Sequence, residues 1–212
     1  MLIRRGIIYV LGMLITYFGT ALVVKSALGA GFWSALYVGM SQTVGLSVGI
    51  WFALIQIGIV VLNAKLRNQK PDWLAIIPIL IESAAFTLWL EYILQDVQFE
   101  EATLLVKTAV FLTGMTIASL GIGIYIHTGF TRAPVDELFL SLSHRFRLKM
   151  SASQSLIAAT VTLTALLLGG PVGLGTFLSI LVFGPFIQFW SDCISKLLSV
   201  YTSSTPSHAE NG

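Results

Sequence analysis

The sequence predicts an all-α, polytopic membrane helix bundle, with six transmembrane helices arranged as two inverted three-helix repeats and a short non-spanning helix in each. Three observations predict it. The 212 residues are 56% hydrophobic and only 10% charged, against roughly 25% charged in soluble domains, so a water-soluble fold would have too little polar surface. Apolar runs recur at about 20 residues, the length that crosses a roughly 30 Å hydrocarbon core. The two halves of the chain also agree when one is slid along the other by 102 residues.

The apolar runs fall at 6–24, 46–63, 73–94, 104–127, 152–169 and 174–197. The first resembles a secretory signal in its Arg4-Arg5 start, but it is longer than the 7–15 residues of a signal's apolar region. It also has a counterpart inside the chain, so it reads as a retained helix with Arg4 and Arg5 as topology anchors. With the N-terminus inside, ten basic residues collect on that side: Arg4, Arg5, Lys65, Arg67, Lys70, Arg132, Arg145, Arg147, Lys149 and Lys196. Only Lys25 and Lys107 fall outside, both beside span ends where they can snorkel. This bias follows the positive-inside rule and places both termini on the cytosolic side.

Sliding by 102 residues lays Gly12-Met13 on Gly114-Met115, Gly19 on Gly121, Leu36 on Leu138, Ser41 on Ser143 and Leu46 on Leu148. Near the ends the offset is 101, and Trp89-Leu90-Glu91 lies over Trp190-Ser191-Asp192. Each half holds three spans, an odd number, so the second copy starts on the opposite side from the first. The first repeat is expected over 1–100 and the second over 101–201, with a disordered cytosolic tail at 202–212. This inverted arrangement is shared by many secondary transporters, whose sites lie near the midplane between the repeats.

The two copies also share an unusual loop. "ALGAGFWSALY" at 27–37 aligns with "GFTRAPVDELF" at 129–139, and each leads into a short apolar stretch, 33–44 and 134–145. Neither stretch is long enough to cross a bilayer; each is expected as an interfacial helix or as a half-helix returning into the protein. With the run "LLGGPVGLGTFLSILVFGPFIQF" at 167–189, these loops resemble the YczE/YitT group of bacterial integral membrane proteins, the YczE-like branch most closely. The most specific part is the Gly-Gly-x-x-Gly-x-Gly-Thr run ending at Gly175-Thr176. That group's first loop usually carries Pro-Trp-Asp where this chain has Phe32-Trp33-Ser34. Its second usually carries Gly-Pro-Arg-Asp-Gly, of which Pro134 and Asp136 remain, with an arginine displaced to Arg132. An Arg and a Glu expected early in span five are here Gln154 and Ala158. The resemblance implies a fold rather than an activity.

Candidate functional residues follow from depth and charge. Glu82 is nine residues beyond Trp73, which puts it about 13 Å into span three at 1.5 Å per residue. A carboxylate at that depth costs about 2.5–3.5 kcal/mol and normally faces a bundle interior or cavity. It is either a coupling or substrate-binding carboxylate or a protonated acid hydrogen-bonded between helices. Gln56 lies mid-span in helix two, and Thr160, Thr162 and Thr164 stud span five, where interhelical hydrogen bonds are the expected role. Pro134 suits a first helical position, with Asp136 and Glu137 favoured in the first turn by the helix dipole. Gly31, Trp33 and Ser34 begin the other short helix without an acid, leaving N–H groups open to an anion. That asymmetry suggests a small polar or zwitterionic solute, contacted by Glu82, Gln56, Gly31, Trp33, Ser34, Arg132, Asp136 and Gln154.

Glu91 and Asp192, matched in the repeat, read as anchors. Pro78 and Gly184-Pro185 are expected to kink or break spans three and six. The single Cys193 excludes an intramolecular disulfide and a cysteine metal cluster. His127, His144 and His208 are scattered, and no metalloprotease pair, nucleophile elbow or nucleotide loop is present. The expectation is therefore a non-enzymatic protein with no cofactor, no metal site and no nucleic-acid partner, surrounded by the lipid bilayer. A small-molecule or ion transporter is the expected function; the alternative is a non-transporting partner or accessory subunit of an enzyme or export system.

Overall fold

The computed structural model describes residues 2–130 and 133–203, so Arg132 and residues 204–212 of the expected tail lie outside the described residues. Among the described residues all regular structure is helical. The α-helices are α1 (Leu2–Lys25), α2 (Phe32–Val44), α3 (Val48–Arg67), α4 (Ile76–Thr87), α5 (Leu104–Ile126), α6 (Pro134–Phe146), α7 (Met150–Leu167) and α8 (Leu174–Ser203). Six segments are long and apolar enough to cross a membrane: Ile3–Lys25, Val48–Arg67, Trp73–Ile93, Leu104–Ile126, Met150–Leu167 and Leu174–Leu197. They fall on the six expected spans. Their outward sides carry exposed Leu54, Leu80, Leu105, Leu163, Leu167 and Leu181, surface that hydrocarbon rather than water is suited to cover. α8 ends at Ser203, two residues into the segment expected as tail.

Span three is built from three kinds of turn. Asp72 caps a 3-10 turn at Trp73–Ala75 by accepting from the Leu74 N–H at 3.1 Å. α4 follows, and a π-turn at Leu88–Ile93 closes with the Leu94 N–H on the Trp89 carbonyl at 2.9 Å. The expected break at Pro78 does not occur. Pro78 is the third residue of α4, where its missing N–H has no intrahelical acceptor to lose. α8 likewise runs continuously through Pro185. The irregularity sits instead at the π-turn, which carries Glu91. The Glu91 carboxylate accepts from the Val48 N–H, while Ser47 accepts from Ile50 at 3.2 Å. Two acceptors thus cap the start of α3, and the acid is favoured there by the helix dipole.

The closest packing is between α1 and α5, which run antiparallel. Gly12 faces Gly121 and Tyr125, and Gly19 faces Gly114 and Ala118. A Cβ at Gly121 would stand 2.5 Å from the Thr16 nitrogen and 2.6 Å from the Gly12 carbonyl; one at Gly114 would stand 2.7 Å from the Gly19 carbonyl. Only glycine permits backbones this close, which in lipid is the main source of helix–helix attraction. The sequence-matched pairs Gly12/Gly114 and Gly19/Gly121 therefore contact each other crosswise.

Both short helices pack one side on the bundle, α2 through its buried residues 34–39 and α6 through Pro134, Leu138 and Ser141, while much of α6 stays exposed. α2 packs against α7 and α6 against α3, and Leu36, Leu138, Ile59 and Val161 share one apolar core. The glycine-rich turn before α8 holds the start of α2. Gly175 donates to the Leu28 carbonyl at 2.7 Å and Ala30 to the Pro171 carbonyl at 2.8 Å. Gly170 lies against the Ala35 carbonyl. Both short helices end alike: the Ser41 hydroxyl donates to the Leu46 carbonyl at 2.7 Å, and Ser143 donates to Leu148 at 2.7 Å. Thr160 and Thr164 bond back along their own helix, to Leu156 and Thr160, instead of across to a neighbour as expected.

Gly19→Val should overpack the α1–α5 crossing and cost about 1–3 kcal/mol or more. Gly58→Ala, at an exposed helical position with nothing within 4 Å, should be neutral or stabilise by up to about 1 kcal/mol. Thermal unfolding of the two purified variants in one detergent measures the difference.

Candidate functional site

Glu82 is the tenth residue of the 21-residue third span and only 5% exposed. On α4 it shares the buried face with Ile79 and Phe86, which points it into the bundle. Its carboxylate accepts a hydrogen bond from the Tyr17 hydroxyl of α1. Tyr9, Tyr37 and Tyr125, from α1, α2 and α5, lie within electrostatic reach of it, as does Asp136 at the start of α6. Among the described residues no Lys, Arg or His pairs with it. A buried carboxylate without a counter-ion is costly unless hydrogen-bonded or neutralised, and here the surrounding hydroxyls are what the chain supplies.

Aromatic rings wall this centre. Tyr17 packs on Phe52 and Phe86 with centroids 5.6 Å away in each case, and Tyr37 packs on Phe52 at 5.2 Å. Trp33 stacks with Tyr37 at 6.3 Å. In the bundle interior several polar atoms are buried with no hydrogen-bond partner among the described residues: Trp33 Nε1, Tyr37 Oη, Gln56 Oε1, Asn63 Oδ1 and Trp89 Nε1. Buried polar groups are normally paired, and leaving one unpaired costs about 1–3 kcal/mol. Tyr37, within electrostatic reach of Glu82, and Trp33, stacked on Tyr37, bring two such groups toward the buried acid, as a site awaiting a polar ligand or water would.

A polar track leads outward from the centre. Gln56, Asn63 and Arg67 lie seven and eleven residues along α3 and so share a face. Asn63 Nδ2 donates to the Pro134 carbonyl at 2.8 Å, fixing the start of α6. Arg67 donates to the Ser141 hydroxyl at 2.8 Å and pairs with Glu137 at 3.4 Å. Between α3, α4 and α6 a cavity of about 220 Å³ is lined by Asn63, Arg67, Ala75, Pro134 and Glu137.

The structure links Glu82 with Trp33 through Tyr37 and with Asp136 by charge, buries Gln56 one turn from Phe52 on α3, and leaves others apart. Pro134 is the first residue of α6, with Asp136 and Glu137 in its first turn, as expected. Gly31 is the N-terminal flanking residue of α2 and Ser34 is buried behind it. Lys25, expected to snorkel beside the end of span one, donates to the Gln95 carbonyl at 3.1 Å. Gln154 is exposed on α7, off the buried face formed by Ser153, Ile157 and Val161, so it does not reach the centre. Arg132 lies outside the described residues. The sequence reading missed the tyrosines. Their signal was depth: Tyr17 lies well inside span one, away from the span ends where interfacial aromatics collect.

The chain belongs to DUF6198, a family of unknown function whose model matches residues 3–192. It is 31% identical over 188 residues to the uncharacterized protein YyaS of Bacillus subtilis, covering 89% of this chain and 92% of that one. It is 25% identical over 189 residues to the uncharacterized membrane protein YczE of the same organism, covering 89% and 86%. An uncharacterized protein of Haemophilus influenzae is 29% identical over 182 residues, covering 84% and 79%. No solved structure matches the chain. The YczE match bears out the resemblance seen in the loop motifs.

Tyr17→Phe removes the donor to Glu82 and should destabilise the protein by about 1–3 kcal/mol. Tyr37→Phe removes an unpaired hydroxyl and should be neutral or stabilising. Thermal unfolding of both variants, read in parallel, distinguishes the two tyrosines.

Proposed function

We propose, for this DUF6198 membrane protein, that it is a small-molecule or ion transporter of the cytoplasmic membrane, with its site around Glu82 near the midplane between two inverted repeats. The observation that carries the reading is Glu82 itself, a mid-span carboxylate in the bundle interior with no cationic partner among the described residues. Ionisable groups at that depth mark substrate or ion pathways by default. The free acceptors Gln56 Oε1 and Asn63 Oδ1 join the carboxylate in favouring a proton or a ligand with a cationic end. Tyr37 and Trp33 supply the donors for the other end of a polar or zwitterionic solute.

Support for the inverted repeat comes from the crosswise glycine contacts of α1 and α5 and from the matching Ser41 and Ser143 hydrogen bonds. The exchange of short helices between halves, α2 onto α7 and α6 onto α3, follows the same two-fold relation. The halves differ in one respect. α3 packs along α4, with Gly49 against Ser83 and Thr87, whereas α7 and α8 stand largely apart. Two inequivalent arrangements of related helix pairs are what alternating access by rocking of one repeat would exchange. In this reading both termini are cytosolic, the chain is not an enzyme, and it needs no cofactor, metal or nucleic acid.

A second reading, an accessory subunit of an enzyme or export system, is favoured by α8, of which only 6% of the spanning window is enclosed. Thermal unfolding against a panel of cations, amino acids and other zwitterions separates the two. A solute at 100 times its dissociation constant should stabilise the protein by about 2.7 kcal/mol. The transporter reading expects that shift to vanish in Glu82→Gln and Tyr37→Phe, and uptake into proteoliposomes to fall with it. A panel without a hit, together with a Glu82→Gln variant that behaves as the parent, would favour the accessory subunit.

A further inference from the structure

Away from the central site, a cavity of about 630 Å³ opens where the end of α3 meets the end of α6 and the turn into α7. Its lining includes Arg67, His144, Arg145, Arg147, Asn68 and Ser143. Arg67 is already committed, to Glu137 and Ser141. Arg145 and Arg147 are exposed and form no ion pair among the described residues. No acidic side chain lines the cavity. Three guanidinium groups and an imidazole thus converge on one concave surface with an excess of positive charge.

The backbone at Arg147 is a second, independent observation. Arg147 ends α6 in the left-handed conformation, with φ 54°, a region that disfavours any residue with a Cβ. The matched position in the first half, 102 residues earlier, is Gly45, which ends α2 at positive φ too but with a different ψ (φ 88°, ψ −164°, against ψ 35° at Arg147). Glycine is the usual residue for this role. The second half holds an arginine where the first holds the residue the turn prefers, and that arginine lines the cavity. A left-handed residue with a long charged side chain kept at the cavity rim is consistent with a use for that side chain.

We propose that this cavity binds a phosphate group, held by Arg145 and Arg147 with Arg67 and His144 behind them. Guanidinium forks match phosphate oxygens bidentately. Phe146, Leu148 and Met150, exposed beside the basic residues, suit an apolar boundary. Basic pockets between transmembrane helices on the cytosolic side are suited to anionic headgroups. The phosphate is therefore that of an anionic glycerophospholipid headgroup or of a soluble phosphate that shares its chemistry.

The test uses the full chain in detergent, with thermal unfolding recorded in mixed micelles containing phosphatidylglycerol or phosphatidylcholine. A second arm uses inorganic phosphate and glycerol phosphate against sodium chloride at equal ionic strength. The informative variant is Arg147→Gly, which removes the guanidinium while installing the residue the turn prefers. Unliganded Arg147→Gly should unfold at the same temperature as the parent or higher, yet bind phosphatidylglycerol about tenfold more weakly, as loss of one charged hydrogen-bonded contact would give. Arg145→Gln should weaken binding similarly, and Lys107→Gln, whose amine bonds the Glu100 carbonyl, should leave it unchanged. Stabilisation by phosphatidylglycerol alone identifies a lipid headgroup; the same variant-dependent shift with free phosphate identifies a soluble ligand. No shift in either arm overturns the proposal, as does a shift that survives both arginine substitutions or falls equally in Lys107→Gln.

Discussion

The structure depends on the bare contact between α1 and α5. Four glycines and Thr16 let the two backbones approach until carbonyls nearly touch the opposing helix. In lipid there is no water to squeeze out, so attraction between helices comes from dispersion and weak polar contacts that need close approach. Because the contacts pair Gly12 with Gly121 and Gly19 with Gly114, the two helices must run antiparallel. The same pairing is what a local two-fold axis between the halves, as in the proposed inverted repeat, would require. The positions of α2 across from α7, and of α6 across from α3, are consistent with that relation.

The central polar cluster hangs from this crossing. Tyr17 lies one residue from Thr16 and two from Gly19, and Tyr125 lies four from Gly121, so the seam sets where both rings enter the interior. Glu82 arrives from the other side, on α4, and meets the Tyr17 hydroxyl. The cluster is not duplicated: the positions 101 and 102 residues after Glu82 are Phe183 and Gly184. On the proposed inverted repeat, a symmetric scaffold would carry an asymmetric cluster. A shared frame needs only matching backbone contacts, whereas a single ligand needs only one carboxylate.

Much of the frame was legible in the sequence. Six apolar runs, two short helices and the 102-residue offset follow from length, periodicity and glycine positions, and Pro134 with Asp136 and Glu137 marked a helix start correctly. Other features depended on tertiary context. Pro78 looked like a break because span three was read from Trp73 as one helix; a 3-10 turn moves the α-helical start to Ile76 and makes the proline harmless. Nothing in the residues around Glu91 signals a π-turn. Gln154 was placed by depth alone, and depth does not fix which way a helix is rotated. Thr160 and Thr164 of α7 bonded back within their own helix, a choice that only the distance to neighbours decides. The tyrosines were within reach of the depth argument that was applied only to Glu82 and Gln56.

The antiparallel relation of the two halves is the central claim, and sidedness tests it most directly. Val44 and Phe146 are separated by the repeat offset, each 60% exposed at the end of its short helix. With Cys193 replaced by serine, Val44→Cys and Phe146→Cys are to be labelled separately in cells with a membrane-impermeant maleimide. The account predicts that Val44→Cys reacts in intact cells and Phe146→Cys only after permeabilisation. Labelling of both from the same side would contradict it.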